Sequence, residues 1–113
     1  MKADEERTRL SRLQVRVLRE EMETQLVWRT TQLSDLKGSI ENGDVQDISR
    51  QEVLADIAAT GRVIAEIRRS LDKVDDGTYG RCAGCGSGIP FDRLKIRPLS
   101  RYCMACQLRH ESR

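Results

Sequence analysis

Apolar side chains recur at helical spacing in the first part of the chain. No Gly or Pro occurs from about Ala3 to Leu36, and this stretch predicts a long helix. Its apolar stripe steps by three or four residues and is interrupted once by an arginine. The stripe consists of Leu18, Met22, Leu26, Arg29, Leu33, Leu36 and Ile40. Lys37-Gly38-Ser39 predicts the end of this helix, and Asn42-Gly43-Asp44 predicts a turn.

A second stripe predicts a second helix from roughly Asp47 to Asp75. It consists of Val53, Ile57, Thr60, Ile64, Ile67, Leu71 and Val74. Ser49 and Glu52 match a capping box, with Asp47 as the competing N-cap, and Gly77 follows the predicted end. Two striped helices joined by a short loop predict an antiparallel hairpin. The first helix is the longer one, so its N-terminal part must pack elsewhere or fray.

Composition supports long helices rather than a broad core. The 113 residues include only four aromatic side chains, and 34% are charged. No apolar run approaches the roughly 18 residues that span a bilayer, and the charged N-terminus does not resemble a secretory signal. We therefore expect a soluble, cytoplasmic protein.

The net charge of +2 is the sum of an acidic N-terminal segment and a basic C-terminal segment. Residues 1–80 hold 13 basic and 16 acidic side chains, whereas residues 81–113 hold 7 basic and 2 acidic ones. Between Asp35 and Asp47, at the predicted tip of the hairpin, four carboxylates accompany a single lysine. The sequence thus predicts an acidic-tipped rod on a basic head.

The cysteines are confined to that head. Cys82 and Cys85 form one C-x2-C pair, Cys103 and Cys106 form another, and 17 residues separate the pairs. This spacing is typical of a four-thiolate zinc site, and Gly86 suits a tight turn after the first pair. Few apolar residues lie between the pairs, so metal binding would supply much of the local stability.

Other roles for the cysteines are less favoured. Disulfides do not suit a cytoplasmic protein, and a redox-active pair needs a βαβ context that the pattern lacks. Four cysteines fill the zinc shell and leave no position for a catalytic water, so we expect one structural Zn²⁺. His110 is a fifth candidate ligand, although an exposed residue near the terminus is the simpler interpretation.

The predicted fold is therefore mainly α. An antiparallel two-helix coiled-coil hairpin occupies residues 1–78, with its tip at about 37–49, and a small four-cysteine zinc finger with a short C-terminal helix occupies residues 79–113. The order of residues in the finger is more specific than the cysteine pairs alone. It comprises Tyr79-Gly80, Cys82-x-x-Cys85-Gly86, Ile89, Arg93-Leu94, Arg97-Pro98 and Cys103-x-x-Cys106.

This order resembles the DksA/TraR family of C4-type zinc-finger proteins, over roughly residues 10–110. The resemblance implies a bacterial transcription regulator that binds RNA polymerase directly, without contacting promoter sequence. In this family the coiled coil enters the secondary channel of the polymerase, and acidic tip residues in the pattern Asp-x-x-Asp-x-Ala alter the stability of promoter complexes. Here Asp44 and Asp47 match that pattern, and Ser49 stands where Ala is usual.

Other functions remain open at the level of sequence. The basic finger could bind nucleic acid, although the thiolates reduce its charge and base-stacking aromatics are scarce. We expect Arg93, Arg97 and Arg101 instead to contact helix ends or an acidic protein partner. Thr60 and Gly61 in the second stripe leave room for a coiled-coil scaffold or dimer, although a monomer is the first expectation. An enzyme is disfavoured, because no catalytic motif is present.

Overall fold

The computed structural model describes residues 9–43 and 47–112. Four helices follow one another: α1 (Arg12–Glu41), α2 (Asp47–Asp76), α3 (Phe91–Ile96) and α4 (Met104–Glu111). Within those two ranges the only β pairing is one isolated bridge between Arg81 and Gly88. The predicted fold class is confirmed: a long helical hairpin precedes a small finger that carries all four cysteines.

The two long helices pack against each other as an antiparallel pair. Each has 30 residues, which corresponds to about 45 Å of helix. Arg19, near the start of α1, forms an ion pair with Asp75 at the end of α2, and this pairing requires opposite chain directions. The described part of the molecule is elongated, with extents of 58 × 34 × 20 Å.

Burial follows the predicted stripes. Leu18 and Met22 on α1 are fully buried, as is Ile67 on α2, and Ile64 and Thr60 are nearly so. Arg29 lies at a stripe position, but its side chain is exposed. The guanidinium lies along the surface of α1 and donates to Gln32 Oε1 at 3.2 Å. The interface between the two stripes, here called the seam, therefore tolerates a charged residue at this position, because a long side chain can carry its charge out to water.

The start of α1 differs from the prediction. Residues 9–11 are not helical and Ser11 is the N-cap of α1, so the helix does not run unbroken from about Ala3 to Leu36; residues 3–8 lie outside the described part of the chain. The Ser11 hydroxyl accepts from the backbone N–H of Gln14 at 3.1 Å, and the Gln14 side chain accepts from the Ser11 N–H at 2.9 Å. This reciprocal pair is a capping box, and its sequence signal, Ser-x-x-Gln, was available.

The end of α1 also differs. The helix continues through Gly38 to Glu41, so the end predicted at Lys37-Gly38-Ser39 was wrong. Asn42 is the C-cap, and its N–H donates to the Gly38 carbonyl at 2.9 Å. Gly43 follows with a φ of 69°, a conformation that glycine adopts without strain. Packing of Leu36 and Ile40 in the seam favours the extra turn over the intrinsic preference of Gly38.

The second helix begins earlier than the predicted capping box would allow. Because α2 starts at Asp47, Ser49 is its third residue, and the Ser49–Glu52 capping box was wrong. The end of α2 agrees with the prediction within one residue. Asp76 is the last helical residue, and Gly77 turns the chain with a φ of 82°.

The finger packs against the first two turns of α1 (residues 12–18), here called the foot of α1. The finger and the foot share one buried core. Leu18 belongs to one buried cluster with Cys82, Ile89, Leu94 and Cys106. Leu10 packs against the same cluster. The first helix was expected to be the longer one, with an N-terminal part that packs elsewhere or frays; instead both helices have 30 residues, and it is Leu10, which precedes α1, that packs on the finger. No helix in the described ranges is both long and apolar enough to cross a membrane.

Candidate functional site

The first cysteine pair lies on a tight turn that backbone hydrogen bonds close. The Cys82 N–H donates to the Ser87 carbonyl at 2.8 Å, and the Gly86 N–H donates back to the Cys82 carbonyl at 2.9 Å. Gly86 has a φ of 77°, which glycine accepts at little energetic cost. The Gly84 N–H points at the Cys82 sulfur, 3.3 Å away. This turn holds both thiols of the pair on one side.

The second pair lies at the start of α4. Cys103 is the N-cap of that helix, and Cys106 is its third residue. The positive end of the helix dipole favours thiolates at these positions. A hydrogen bond of 2.7 Å from the Ala83 N–H to the Arg101 carbonyl ties the two turns together. The pairs therefore face each other although 17 residues separate them.

The four sulfurs converge on one point. All Sγ atoms lie within 4.8 Å of one another, and Cys85 Sγ lies 3.8 Å from Cys103 Sγ. Zinc–sulfur bonds of about 2.3 Å in a tetrahedron separate the sulfurs by about 3.8 Å. A side chain at Gly84 would obstruct this cluster, because its Cβ would lie 3.0 Å from Cys106 Sγ. The residues present therefore fit a zinc ion held by four thiolates.

The electrostatics of the cluster also favour a bound cation. Burial would raise the pKa of Cys82, yet hydrogen bonds from three backbone N–H groups lower it to about 6. The donors belong to Cys103, Cys85 and Gly84. By contrast, the neighbouring sulfurs, Cys82 foremost, raise the pKa of Cys106 to about 12. A second thiolate beside the first is unfavourable unless a positive ion compensates both charges.

The disulfide role and the fifth-ligand role considered for these residues do not match the geometry. All four cysteines are free thiols, so the structure contains no disulfide between them. His110 lies outside the sulfur cluster and is exposed. Its ring stacks on Tyr102, with centroids 4.2 Å apart and a tilt of 38°. The exposed-residue interpretation of His110 is the one that the structure supports.

The three arginines proposed as partner contacts differ in their surroundings. Arg93 is half-buried, and its Nε donates to the Tyr102 carbonyl at 3.3 Å, so it braces the loop before Cys103. Arg97 and Arg101 are exposed. Together the three line a shallow groove between the finger and Gln25 on α1. Contact with a partner remains a prediction for these side chains.

The predicted tip residues are only partly described. Asp44 lies outside the described residues. Asp47 is the first residue of α2, but its side chain lies outside the described part of the chain. Ser49, two residues later, is exposed. The functional roles of these three residues remain predictions.

Two contacts that stabilise the finger were not predicted from the sequence. The Tyr79 hydroxyl donates to the Pro98 carbonyl at 2.7 Å, and burial raises the pKa of Tyr79 to about 12. Leu10, which lies eight residues before the first residue of the predicted stripe, covers Gly80. A Cβ at Gly80 would lie 2.8 Å from Leu10 Cδ1. The Ser11 capping signal places Leu10 before the helix, outside the hairpin.

Comparison with known proteins identifies the finger. Residues 77–112 match the family model described as the prokaryotic dksA/traR C4-type zinc finger. This segment is similar to the DksA/TraR-type zinc fingers. The resemblance noted in the sequence is thereby confirmed, and the family assignment also implies that this segment binds zinc.

Curated relatives match the chain over part of its length. It is 37% identical over 65 residues to an uncharacterized protein of Aquifex aeolicus, covering 56% of this chain and 45% of that protein. It is 38% identical over 52 residues to the RNA polymerase-binding transcription factor DksA of Caulobacter vibrioides, covering 46% of this chain and 37% of that factor. The matches thus span less than half of these relatives.

A solved structure matches nearly the whole chain. The transcription factor DksA2 from Pseudomonas aeruginosa superposes with a TM-score of 0.82 at 20% identity, covering 90% of this chain and 86% of that one. The shared fold therefore includes the hairpin as well as the finger.

Proposed function

We propose that this chain is a transcription regulator that binds RNA polymerase directly and inserts its hairpin into the secondary channel of the enzyme. There it changes the stability of promoter complexes. The observation that carries the proposal is the combination of a DksA/TraR-type finger with a hairpin that superposes on DksA2. The Caulobacter relative that matches 46% of this chain is named for polymerase binding. These relatives do not favour the alternative of a nucleic-acid-binding module or a coiled-coil scaffold.

The shape of the hairpin supports insertion into a narrow opening. Only two helices form it, and the described molecule is 58 Å long but 20 Å across its thinnest direction. A pair of helices can reach the end of a channel that a globular domain cannot enter. We propose that residues 1–78 form this inserting unit and that residues 79–113 form the head that remains outside.

Charge at the tip supports an electrostatic effect near the polymerase active centre. Asp35 and Glu41 are exposed near the end of α1, and Asp44 and Asp47 follow in the sequence. A nucleotide-polymerising centre contains Mg²⁺ and basic side chains, and exclusion of water strengthens charge interactions there. We assign Asp44 and Asp47 as the effector residues of the tip, with Ser49 in the position beside them.

The finger has a structural role in this proposal. One zinc ion held by Cys82, Cys85, Cys103 and Cys106 would link the two turns and fix the head on the foot of α1. The four thiolates complete the coordination shell. The exposed Arg97 and Arg101 are then available to an acidic surface of the polymerase. We propose a cytoplasmic monomer that makes no sequence-specific contact with DNA.

The experiment measures binding to core RNA polymerase separately from the effect on the lifetime of promoter complexes. The wild-type chain should bind core RNA polymerase and change the lifetime of promoter complexes. The double variant Asp44→Asn with Asp47→Asn should bind within about twofold of wild type but lose that effect, because it keeps the shape and removes two tip charges. Ser49→Ala should keep both properties, since a small side chain remains.

A matched control removes two carboxylates far from the tip. Glu66 and Asp72 are exposed on α2 towards the finger end, so Glu66→Gln with Asp72→Asn should leave binding and effect unchanged. Failure of the wild-type chain to bind core polymerase would refute the proposed function. An unchanged effect in the Asp44 and Asp47 double variant would refute the tip mechanism alone.

A further inference from the structure

The only tryptophan of the chain lies in water. Trp28 is 79% exposed on the middle of α1, although a large aromatic side chain normally buries most of its area. Its ring does not serve the seam, because the neighbouring seam residues Met22 and Leu26 are turned towards α2 and are buried or half-buried. Neither the zinc finger nor the tip uses this side chain. An exposed tryptophan on a rigid helix is typical of an interface anchor.

Shallow grooves lie on both sides of the indole along one flank of α1. The groove towards the finger is lined by Glu21, Thr24, Gln25 and Arg29, and the groove towards the tip by Asp35 and Ser39. Trp28 lines both. Glu21 and Asp35 each lie seven residues from Trp28, which is two helical turns and places all three on one face.

The charge on this part of α1 indicates the partner. From Glu20 to Glu41 the helix carries five carboxylates and two cations. One of the two cations, Arg29, donates to Gln32. An acidic surface around an exposed indole complements a cationic group, because a guanidinium or ammonium ion is attracted to the ring face as well as to the carboxylates.

We propose that Trp28, Glu21 and Asp35 form a docking surface for a basic surface of the polymerase, with an arginine or lysine side chain packed on the indole. This inference rests on the proposed function and adds a contact midway along the rod, separate from the tip and the finger. It places the partner's cation between two carboxylates that lie about 10 Å to either side of the ring along the helix.

Substitutions at one position separate a cation–π contact from simple apolar burial. Trp28→Ala should weaken binding to core polymerase at least about tenfold, as expected for an anchor residue. Trp28→Leu should weaken it about as much, because an aliphatic side chain does not attract a cation, whereas Trp28→Phe should retain part of the affinity. Val27 is 63% exposed but lies about 100° around the helix, so Val27→Ala should bind like wild type.

A direct probe uses the single tryptophan. Biosynthetic replacement by 5-hydroxytryptophan allows excitation where the tryptophans of the polymerase do not absorb. Its fluorescence should become protected from acrylamide quenching when core polymerase is added, and sedimentation of the chain alone should show no association that depends on Trp28.

The outcomes distinguish this surface from the proposed function. No binding by wild type overturns both. Binding that Trp28→Ala leaves intact, or that Trp28→Leu fully restores, overturns the docking surface alone. Undiminished quenching in the complex also overturns it, and a dimer lost in Trp28→Ala would assign the surface to a second copy of the chain instead.

Discussion

The hydroxyl of Tyr79 donates a hydrogen bond of 2.7 Å to the carbonyl of Pro98, which lies nineteen residues further along the chain. Tyr79 precedes the first cysteine pair and Pro98 precedes the second. The bond therefore connects the two segments through a contact separate from the backbone tie at the thiol cluster. The Tyr79–Pro98 bond and the thiol cluster are thus two separate connections between the same two segments.

Tyr79→Phe removes this bond but keeps the ring. The Pro98 residue is buried, so its carbonyl would lose its partner, and we expect the free energy of unfolding to fall by about 1–2 kcal/mol. Urea denaturation of the zinc-loaded protein measures the change. Tyr102→Phe, which removes the other phenol hydroxyl of the chain, is the control for a general effect of losing a hydroxyl. Equal losses in both variants would contradict a specific role for the bond.

The same residue predicts an alkaline destabilisation. Burial raises the pKa of Tyr79 in the folded state from 10.0 to about 12. Its contribution to stability is therefore complete below pH 10 and is lost as the pH rises towards 12, because the unfolded state releases the proton first. We expect a loss of about 1–2 kcal/mol, reduced by the partial exposure of the ring. Stability curves between pH 9 and 12 should show this loss, and Tyr79→Phe should lack it.

Leu18 connects the hairpin seam to the core of the finger. It is 1% exposed and packs in the cluster that contains Cys82 and Cys106. Leu18→Ala should therefore lower the free energy of unfolding by about 3–4 kcal/mol. Leu13 lies on the same helix but is 67% exposed, so Leu13→Ala should change it by less than about 0.5 kcal/mol. Similar effects of the two substitutions in thermal or urea unfolding would contradict the burial of Leu18 in that cluster.

Two glycines with similar backbone angles provide a test of close packing. Gly77 and Gly80 have φ values of 82° and 89°, so alanine is strained at both. A Cβ at Gly77 meets open space, whereas a Cβ at Gly80 would lie 2.8 Å from Leu10. Gly77→Ala should cost about 1 kcal/mol, and Gly80→Ala up to about 1 kcal/mol more, because the end of the Leu10 side chain must shift to make room.

A combined variant attributes that difference to one contact. Leu10→Ala removes the atom that a Cβ at Gly80 would strike, so the extra cost of Gly80→Ala over Gly77→Ala should shrink in its presence. An unchanged difference in the unfolding free energies would place the strain elsewhere.

Much of the hairpin and of the thiol cluster could be predicted from the periodicity and spacing of residues in the sequence. The seam positions from Leu18 to Val74 follow from steps of three and four, and the thiol cluster follows from two C-x2-C pairs. The boundaries were harder, because a glycine such as Gly38 costs only about 1 kcal/mol within a helix and seam packing overrides it. The contacts of Tyr79 and Leu10 are long-range and carry no local pattern, so they could not be predicted from spacing.

Zinc removal should affect the two parts of the molecule unequally. The finger contributes few buried apolar residues of its own, and the pKa of Cys106 is raised by its neighbouring thiols, so the cluster depends on a cation. We expect one zinc per chain by metal analysis. Chelation should unfold the finger and lower the thermal midpoint, yet most helical circular dichroism should remain, because α1 and α2 pack chiefly on each other.

Substitution of the ligands should reproduce the chelated state. Cys82→Ser with Cys106→Ser should bind substantially less than one zinc, whereas His110→Ala should bind as much as wild type, since the imidazole lies outside the sulfur cluster. The serine variant should also expose the foot of α1, because Leu18 loses its partners in the finger. Protease cleavage near Leu18 that appears only in the chelated protein and the serine variant would support this exposure of the foot of α1. Full zinc occupancy in the serine variant would refute the four-thiolate site, and a joint collapse of helix and finger would refute the independence of the hairpin.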